Sequence, residues 1–247
     1  ADKVEEASHF SGGYIFANPK EYKDVLKPTY NTTMQATISA LLKQFKDIRN
    51  VIPAQCVFIV GGIAEGDQEK FLRDEVSGNI RHAMKSLDPN YRPGIAIVTV
   101  NLRHSERFYR ADNKGIGRAQ TENLPAGTVI DTAIVDPSKT QAYIQSHTPL
   151  QGTAKIPAYT LLYDTANMFT SDSLQMSMHA LTHLHGICAL STALPTPVQI
   201  TKMNLKRANE QYRAFEKQHG YDWKIDDLNK QVAIGTDHAL SALRYNA

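Results

Sequence analysis

Residues 56–67 read CVFIVGGIAEGD. Val57, Phe58, Ile59 and Val60 form a continuous apolar run of strand length, the pattern of a β-strand covered on both faces. Gly61 and Gly62 end it, and the acidic residues Glu65, Asp67 and Glu69 follow. In open α/β sheets, ligands and catalytic groups gather at the carboxyl ends of central strands, so the missing side chain at Gly61 is informative. On the upstream side, NTTMQATISALLKQFKDIRN (31–50) spaces Met34, Ile38, Leu41, Leu42 and Phe45 as one helical face, with Asn31 or Thr32 as the cap. Downstream, a second amphipathic helix runs through Phe71, Val76, Ile80 and Met84, and GIAIVTVNL (94–102) is a β-branched strand. With SGGYIFANP (11–19) as a glycine-led first strand, the order is β-α-β-α-β. That order predicts an α/β sheet with right-handed crossovers.

Shorter extended runs come next: RFYRA, TVIDTAIV, AYIQS and AYTLLYD, the last two flanking the polar loop HTPLQGTAKIP (147–157). Residues 171–192 then read as a helix, with Asp172 and Gln175 as a capping box and a core stripe of Leu174, Met178, Leu181, Leu184 and Cys188. LPTPV opens a basic helix through prolines at its entry, the polar segment EKQHGYDWKIDD follows, and HALSALRYNA is the last helix. There is no internal repeat and no low-complexity tract, so a single domain over residues 1–247 is expected.

Composition narrows the function classes. The chain has 247 residues, 42% of them hydrophobic, enough for a substantial core. Lys and Arg total 27 against 25 Asp and Glu, a net charge of +2, so any affinity for nucleic acid must come from local clusters. No apolar run reaches membrane-spanning length and no basic-then-apolar leader opens the sequence, so a membrane partner and secretion are not expected. Cys56 and Cys188, both among apolar residues, read as buried thiols of a reducing compartment, the cytoplasm or nucleus. The opening ADKVEEASHF, without an initiator Met, reads as the start of a piece of something longer.

Four features carry candidate chemistry. GGIAEG fits neither GxGxxG nor a phosphate loop with Gly-Lys-Ser/Thr, so the glycines read as a tight turn with positive φ. His179 and His183 have the i, i+4 spacing of metal ligands, but Ala180 stands where HExxH carries its glutamate and no third ligand is evident. Packing or surface roles are therefore expected for them. Arg103, His104, Arg107, Arg110, Lys114 and Arg118, interleaved with Phe108 and Tyr109, suit either phosphate and base contacts or a solvated hairpin edge. Lys202, Lys206 and Arg207 suit either a phosphate group or a solvated helix face.

Three stretches decide among these readings: NLPAGTVIDTAIVDP (123–137), SHTPLQGTAK (146–155) and YDTANMFTSDSLQ (163–175). In order and spacing they resemble the C-terminal half of the PIWI domain of eukaryotic Argonaute proteins, whose pattern is close to NIPAGT-VDT-I-HP, SH--IQGTS and a D-N-F-SDELQ helix start. YRPGIAIVTVNLRH and LPTPV join the match, which runs from about Met34 to the C-terminus. The resemblance implies an RNase H-like α/β fold, a mixed central sheet flanked by helices, holding a small guide RNA paired to a target RNA. Cleaving members use carboxylates and a histidine to place two metal ions on the scissile phosphate.

Here the sequence departs from the family. Gly61 takes the place of the strand-end aspartate, and Lys202 takes the place of the histidine. The family glutamate falls near Thr29, and the first aspartate falls at or ahead of Ala1. Glu65 matches a family glutamate that is not catalytic. A missing carboxylate and an added cation disfavour a divalent ion, which implies a non-cleaving, secondary-small-RNA type of member that recruits silencing effector proteins. The resemblance assigns no metal to catalysis, and Mg²⁺ only beside the guide 5′-phosphate. Binding is implied at Arg207 and Lys206 with the terminal carboxylate of Ala247 for the 5′-phosphate, and at His147, Gln151, Thr153 and Lys155 for the guide backbone. Arg103, His104 and Arg118 complete the expected RNA-binding set. Two guide-contact positions, a Tyr and an Arg in the family, are His185 and Ile187 here. The alternatives are a metal-dependent endoribonuclease of the same fold with displaced carboxylates and, more remotely, a Rossmann-like oxidoreductase, which lacks its fingerprint.

Overall fold

The computed structural model describes residues 10, 12–16, 28–112, 117–220, 223–235, 238 and 240. Ser11, Lys114 and most of the expected final helix, Ala247 included, lie outside the described residues. The chain divides into two compact units. One comprises Gln55–Gln68 and Gly94–Gln199, and the other the described residues of Ala1–Ala54, Glu69–Pro93 and Ile200–Ala247.

The first unit is built on a five-stranded mixed sheet in the order β1-β2-β5-β4-β3: β1 Gln55–Gly61, β2 Gly94–Asn101, β3 Thr128–Ile130, β4 Thr140–Gln145 and β5 Ala158–Asp164. β1 and β2 are parallel, in register from Gln55↔Gly94 to Gly61↔Val100, and the other pairs are antiparallel. Burial on both faces, expected for residues 57–60, belongs instead to β2, where Ile95–Val100 are all buried. Val57 is 44% exposed because β1 has a single neighbour and is an end strand among those described.

Side chains alternate across the sheet. Val98, Val100, Ala142, Ile144 and Tyr159 point to one face, where they pack against Leu174, Met178, Leu181 and Leu194. Tyr143 and Ala158 serve the other face with Ala154 and Ile156. A helix over Ser171–Leu181 supplies the first cover. It is capped by Thr170 and Ser173 rather than by Asp172 and Gln175: Thr170 Oγ1 accepts from Ser173 N at 3.2 Å and Ser173 Oγ accepts from Thr170 N at 2.8 Å. Asp164 holds the turn before it, accepting from Ala166 N and Phe169 N at 3.1 and 3.0 Å. Burial opposes the charge on Asp164, but its backbone N–H donors outweigh that and hold the pKa below the usual range.

This helix is shorter than expected. Thr182 Oγ1 donates to the His179 carbonyl at 2.6 Å, and Thr192 N donates to the Thr182 carbonyl at 3.0 Å, folding the chain back. Leu184 and Cys188 therefore do not extend the stripe. Cys188 is exposed and Cys56 only partly covered, which corrects the reading of both as buried thiols. RFYRA forms no strand, and TVIDTAIV pairs only over Thr128–Ile130 before Ala133 turns to φ 63°.

In the second unit, α1 (Pro28–Arg49) starts earlier than the Asn31 or Thr32 cap predicts, with Pro28 at its first position. It packs on the π segment Leu72–Ile80 and the helix Arg81–Leu87, which continue the helical run begun at Gln68–Phe71. Ile38 and Leu42 are buried on one side, and Val76, Ile80, Ala83 and Met84 on the other. The basic helix is Thr196–His219, buried along Ile200, Asn204, Ala208 and Phe215. Among the described residues of SGGYIFANP, Tyr14 forms a single bridge to Ile234 and no sheet strand. Gly13 permits it, since a Cβ there would lie 2.1 Å from the Ile234 carbonyl oxygen. An unanticipated helix, Ile225–Val232, extends that contact: Asn229 accepts from Phe16 N and donates to Phe16 O, both at 2.8 Å.

Leu174→Ala should cost about 2–5 kcal/mol, since it removes a fully buried contact between sheet and helix. Urea unfolding of this chain measures it, and a loss under about 1 kcal/mol would deny this helix its role as the sheet's cover.

Candidate nucleic-acid interface

At the carboxyl end of β1, Gly61 is exposed, and a Cβ there would meet only the Val100 carbonyl oxygen, at 3.9 Å. A side chain fits at this position. Gly62, at φ 83°, is the residue that the turn requires to be glycine. A 3₁₀ turn, Glu65–Asp67, follows. Glu65 Oε1 lies 2.7 Å from Lys139 Nζ, which is also 3.3 Å from Asp136 Oδ2. The Glu65 hydrogen bond, opposed by partial burial and aided by Asp136, raises the Lys139 pKa. Sequence reasoning missed this contact, because 74 residues separate its partners. Among the described residues, no group of three or more His, Cys, Asp or Glu side chains is arranged to hold a metal ion.

The second element is the loop 147–155 after β4. Asn123, 6% exposed, braces it: Nδ2 donates to the Gly152 carbonyl at 2.9 Å and Oδ1 accepts from Ala154 N at 2.8 Å. Gln145 Nε2 donates to the His147 carbonyl at 2.6 Å. Ala154 and Ile156 are buried against Tyr143, while Gln151, Thr153 and Lys155 are exposed. His147 is half-buried, and loss of solvent lowers its pKa; at neutral pH it offers a polar ring rather than a cation. His104 supports the loop from beneath. Its Nε2 is 2.6 Å from the Ile156 carbonyl, and its ring stands edge-on to Tyr143. Its Nδ1 sits 2.9 Å from Glu106 Oε2, an ion-pair distance without hydrogen-bond alignment, and the side chain is only 9% exposed.

The described residues of the basic stretch 103–118 form no hairpin strand. Arg103 and Arg118 are exposed, Arg107 bonds the His104 and Glu106 carbonyls, and Arg110 makes a bidentate pair with Asp112 at 2.9 Å. Phe108 packs against Tyr143, while Tyr109 stays 56% exposed. On the helix Thr196–His219, Lys202, Lys206 and Arg207 are all exposed, and Arg207 NH1 is 3.5 Å from Glu210 Oε2. His185 is buried and Ile187 is 63% exposed.

The Piwi domain family matches this sequence over residues 16–213. The chain belongs to that family. Solved structures show the same RNase H-like architecture. The Kluyveromyces polysporus Argonaute with a guide RNA aligns with TM-score 0.78 and 23% identity over 97% of this chain and 29% of its own. The C-terminal lobe of a budding yeast Argonaute gives 0.73 and 22% over 87% and 44%, and Drosophila Piwi gives 0.58 and 22% over 70% and 23%. This Piwi chain thus spans less than half the length of each of these proteins.

Two stability comparisons test the local geometry. Gly61→Ala should stay within about 0.5 kcal/mol of the parent, whereas Gly62→Ala should cost about 1–2 kcal/mol for its positive φ. Asn123→Ala should cost about 1–3 kcal/mol, because the buried Ala154 N–H loses its acceptor. Urea titration of the variants reads both; equal losses at Gly61 and Gly62 would refute the turn assignment.

Proposed function

We propose that this chain is the Piwi domain of a larger Argonaute-type protein that holds a small guide RNA paired to a target RNA and does not cut it. The observation that carries the binding half is the braced loop 147–155. Its backbone is fixed by Asn123, and its exposed Gln151, Thr153 and Lys155 form a polar edge. Such an edge suits a sugar-phosphate backbone and confers affinity without sequence preference. Exposed Arg103 and Arg118 add cations, while His104 acts through the loop it supports.

Arg207 and Lys206 are the anchor for a guide 5′-phosphate. The guanidinium is a fork matched to that group, and Lys206 adds a point charge. The contact of Arg207 with Glu210 is solvent-exposed and weak, so a phosphate displaces it at little cost. Mg²⁺ beside the phosphate belongs to the same reading.

The residues at the cleavage positions do not fit a pair of catalytic metal ions. Gly61 has room for a carboxylate but carries none, Glu65 is engaged by Lys139, and the family pattern lays Lys202, a cation, on the position of its histidine. Target RNA would therefore be held for silencing effector proteins in the cytoplasm or nucleus. Gly61→Asp alone should still produce no cutting, because Lys202 would still stand at the position of the family histidine.

Arg207→Ala should weaken a 5′-phosphorylated guide about ten- to a hundredfold, the loss of a charge-assisted contact of about 1.5–3 kcal/mol. It should barely affect a 5′-hydroxyl guide. Equilibrium binding of both guides to both full-length proteins measures the difference, and equal losses would reduce Arg207 to a solvated helix residue. Lys155→Ala should weaken all guide sequences alike and flatten the salt dependence by about one unit; losses confined to some sequences would contradict the loop assignment.

A further inference from the structure

The histidine pair on the helix Ser171–Leu181 and its exit is left unused by the RNA-binding reading. His179 and His183 stand with their Nε2 atoms 3.4 Å apart and their ring planes at 89°. Nitrogen ligands about 2.0–2.1 Å from a tetrahedral ion are about 3.3–3.4 Å apart, so the two ring nitrogens already have the separation of neighbouring ligands on one metal. The i, i+4 spacing brings them together, and the turn at Thr182 keeps His183 beside the last helical residues.

The outer contact of His179 also suits a ligand. Its Nδ1 is 3.2 Å from Ser146 Oγ, and with Nδ1–H donating there, Nε2 keeps its lone pair. Ser146 is fully buried, and its carbonyl accepts from Ser191 Oγ, so the orienting residue is itself held in place. His183 is exposed, so the pair is open to an ion from solvent.

We infer that His179 and His183 form a two-histidine site for a divalent first-row transition ion such as Zn²⁺ or Cu²⁺, its remaining positions filled by water. Ser146 is a positioning residue for this site. Imidazole donors favour Cu²⁺ over Zn²⁺ and discriminate against Mg²⁺, so the site is chemically separate from any Mg²⁺ bound with RNA.

The test is calorimetric titration of tag-free, RNA-free full-length protein with Zn²⁺ in millimolar Mg²⁺, alongside electron paramagnetic resonance of the Cu²⁺-loaded form. The parent should take up one more equivalent of Zn²⁺ than His183→Ala, and its Cu²⁺ spectrum should show coupling to two nitrogens that the variant lacks. Ser146→Ala should weaken that equivalent about ten- to a hundredfold while leaving the two-nitrogen signature at saturating Cu²⁺. His183 is exposed, so its variant should melt with the parent when metal-free, which separates loss of a ligand from loss of fold. Identical titrations for parent and His183→Ala would overturn the site, as would displacement of the Zn²⁺ by Mg²⁺. In either case the contact would be only a hydrogen bond between two rings.

Discussion

The sheet unit depends on β2 being paired along both edges and apolar on both faces. It bonds in parallel to β1 and in antiparallel to β5, and each of Ile95–Val100 is buried. That double pairing fixes where β1 ends, because the register places Gly61 beside Val100. It also fixes β5, and through β5 the pairing with β4 whose exit becomes the loop 147–155. The strand-end glycine and the loop are thus positioned by one set of backbone hydrogen bonds. Asn123 then fixes the far end of the loop.

The parts of the fold legible in the sequence are those whose cause is local. GIAIVTVNL reads as a buried strand because burial on both faces leaves no polar alternation. The stripe Leu174, Met178 and Leu181 reads as helical and is so. Misreadings arise where one long-range contact decides. Apolar spacing continues through Leu184 and Cys188, and only the Thr192 bond to Thr182 turns the chain back. The helix Ile225–Val232 hid in a polar segment because its partner, Phe16, lies 213 residues away from Asn229. The cap was misplaced because Asp172 and Gln175 satisfy the same pattern as Thr170 and Ser173.

The candidate interface divides along the same line. Gly61 and Lys202 stand out once the family pattern is laid on the sequence, since residue identity alone carries that signal. The support beneath the loop is different. Asn123 looks like one letter of a motif, yet it ties Gly152 to Ala154, and His104 looks like one more cation, yet it serves the Ile156 carbonyl. Glu65 looks like a spare carboxylate, yet it is engaged by Lys139, which Asp136 also contacts. Polar residues that brace a backbone and those that meet a ligand have the same composition. Only burial and hydrogen-bond partners tell them apart.

The central claim is that this Piwi domain retains paired RNA without cutting it. The most direct measurement loads the full-length protein with a 5′-phosphorylated guide, adds fully matched target RNA and Mg²⁺, and follows target length and retention together. The account predicts that the target stays bound at full length. A single Mg²⁺-dependent cut opposite the guide centre, abolished by a chelator, would contradict it.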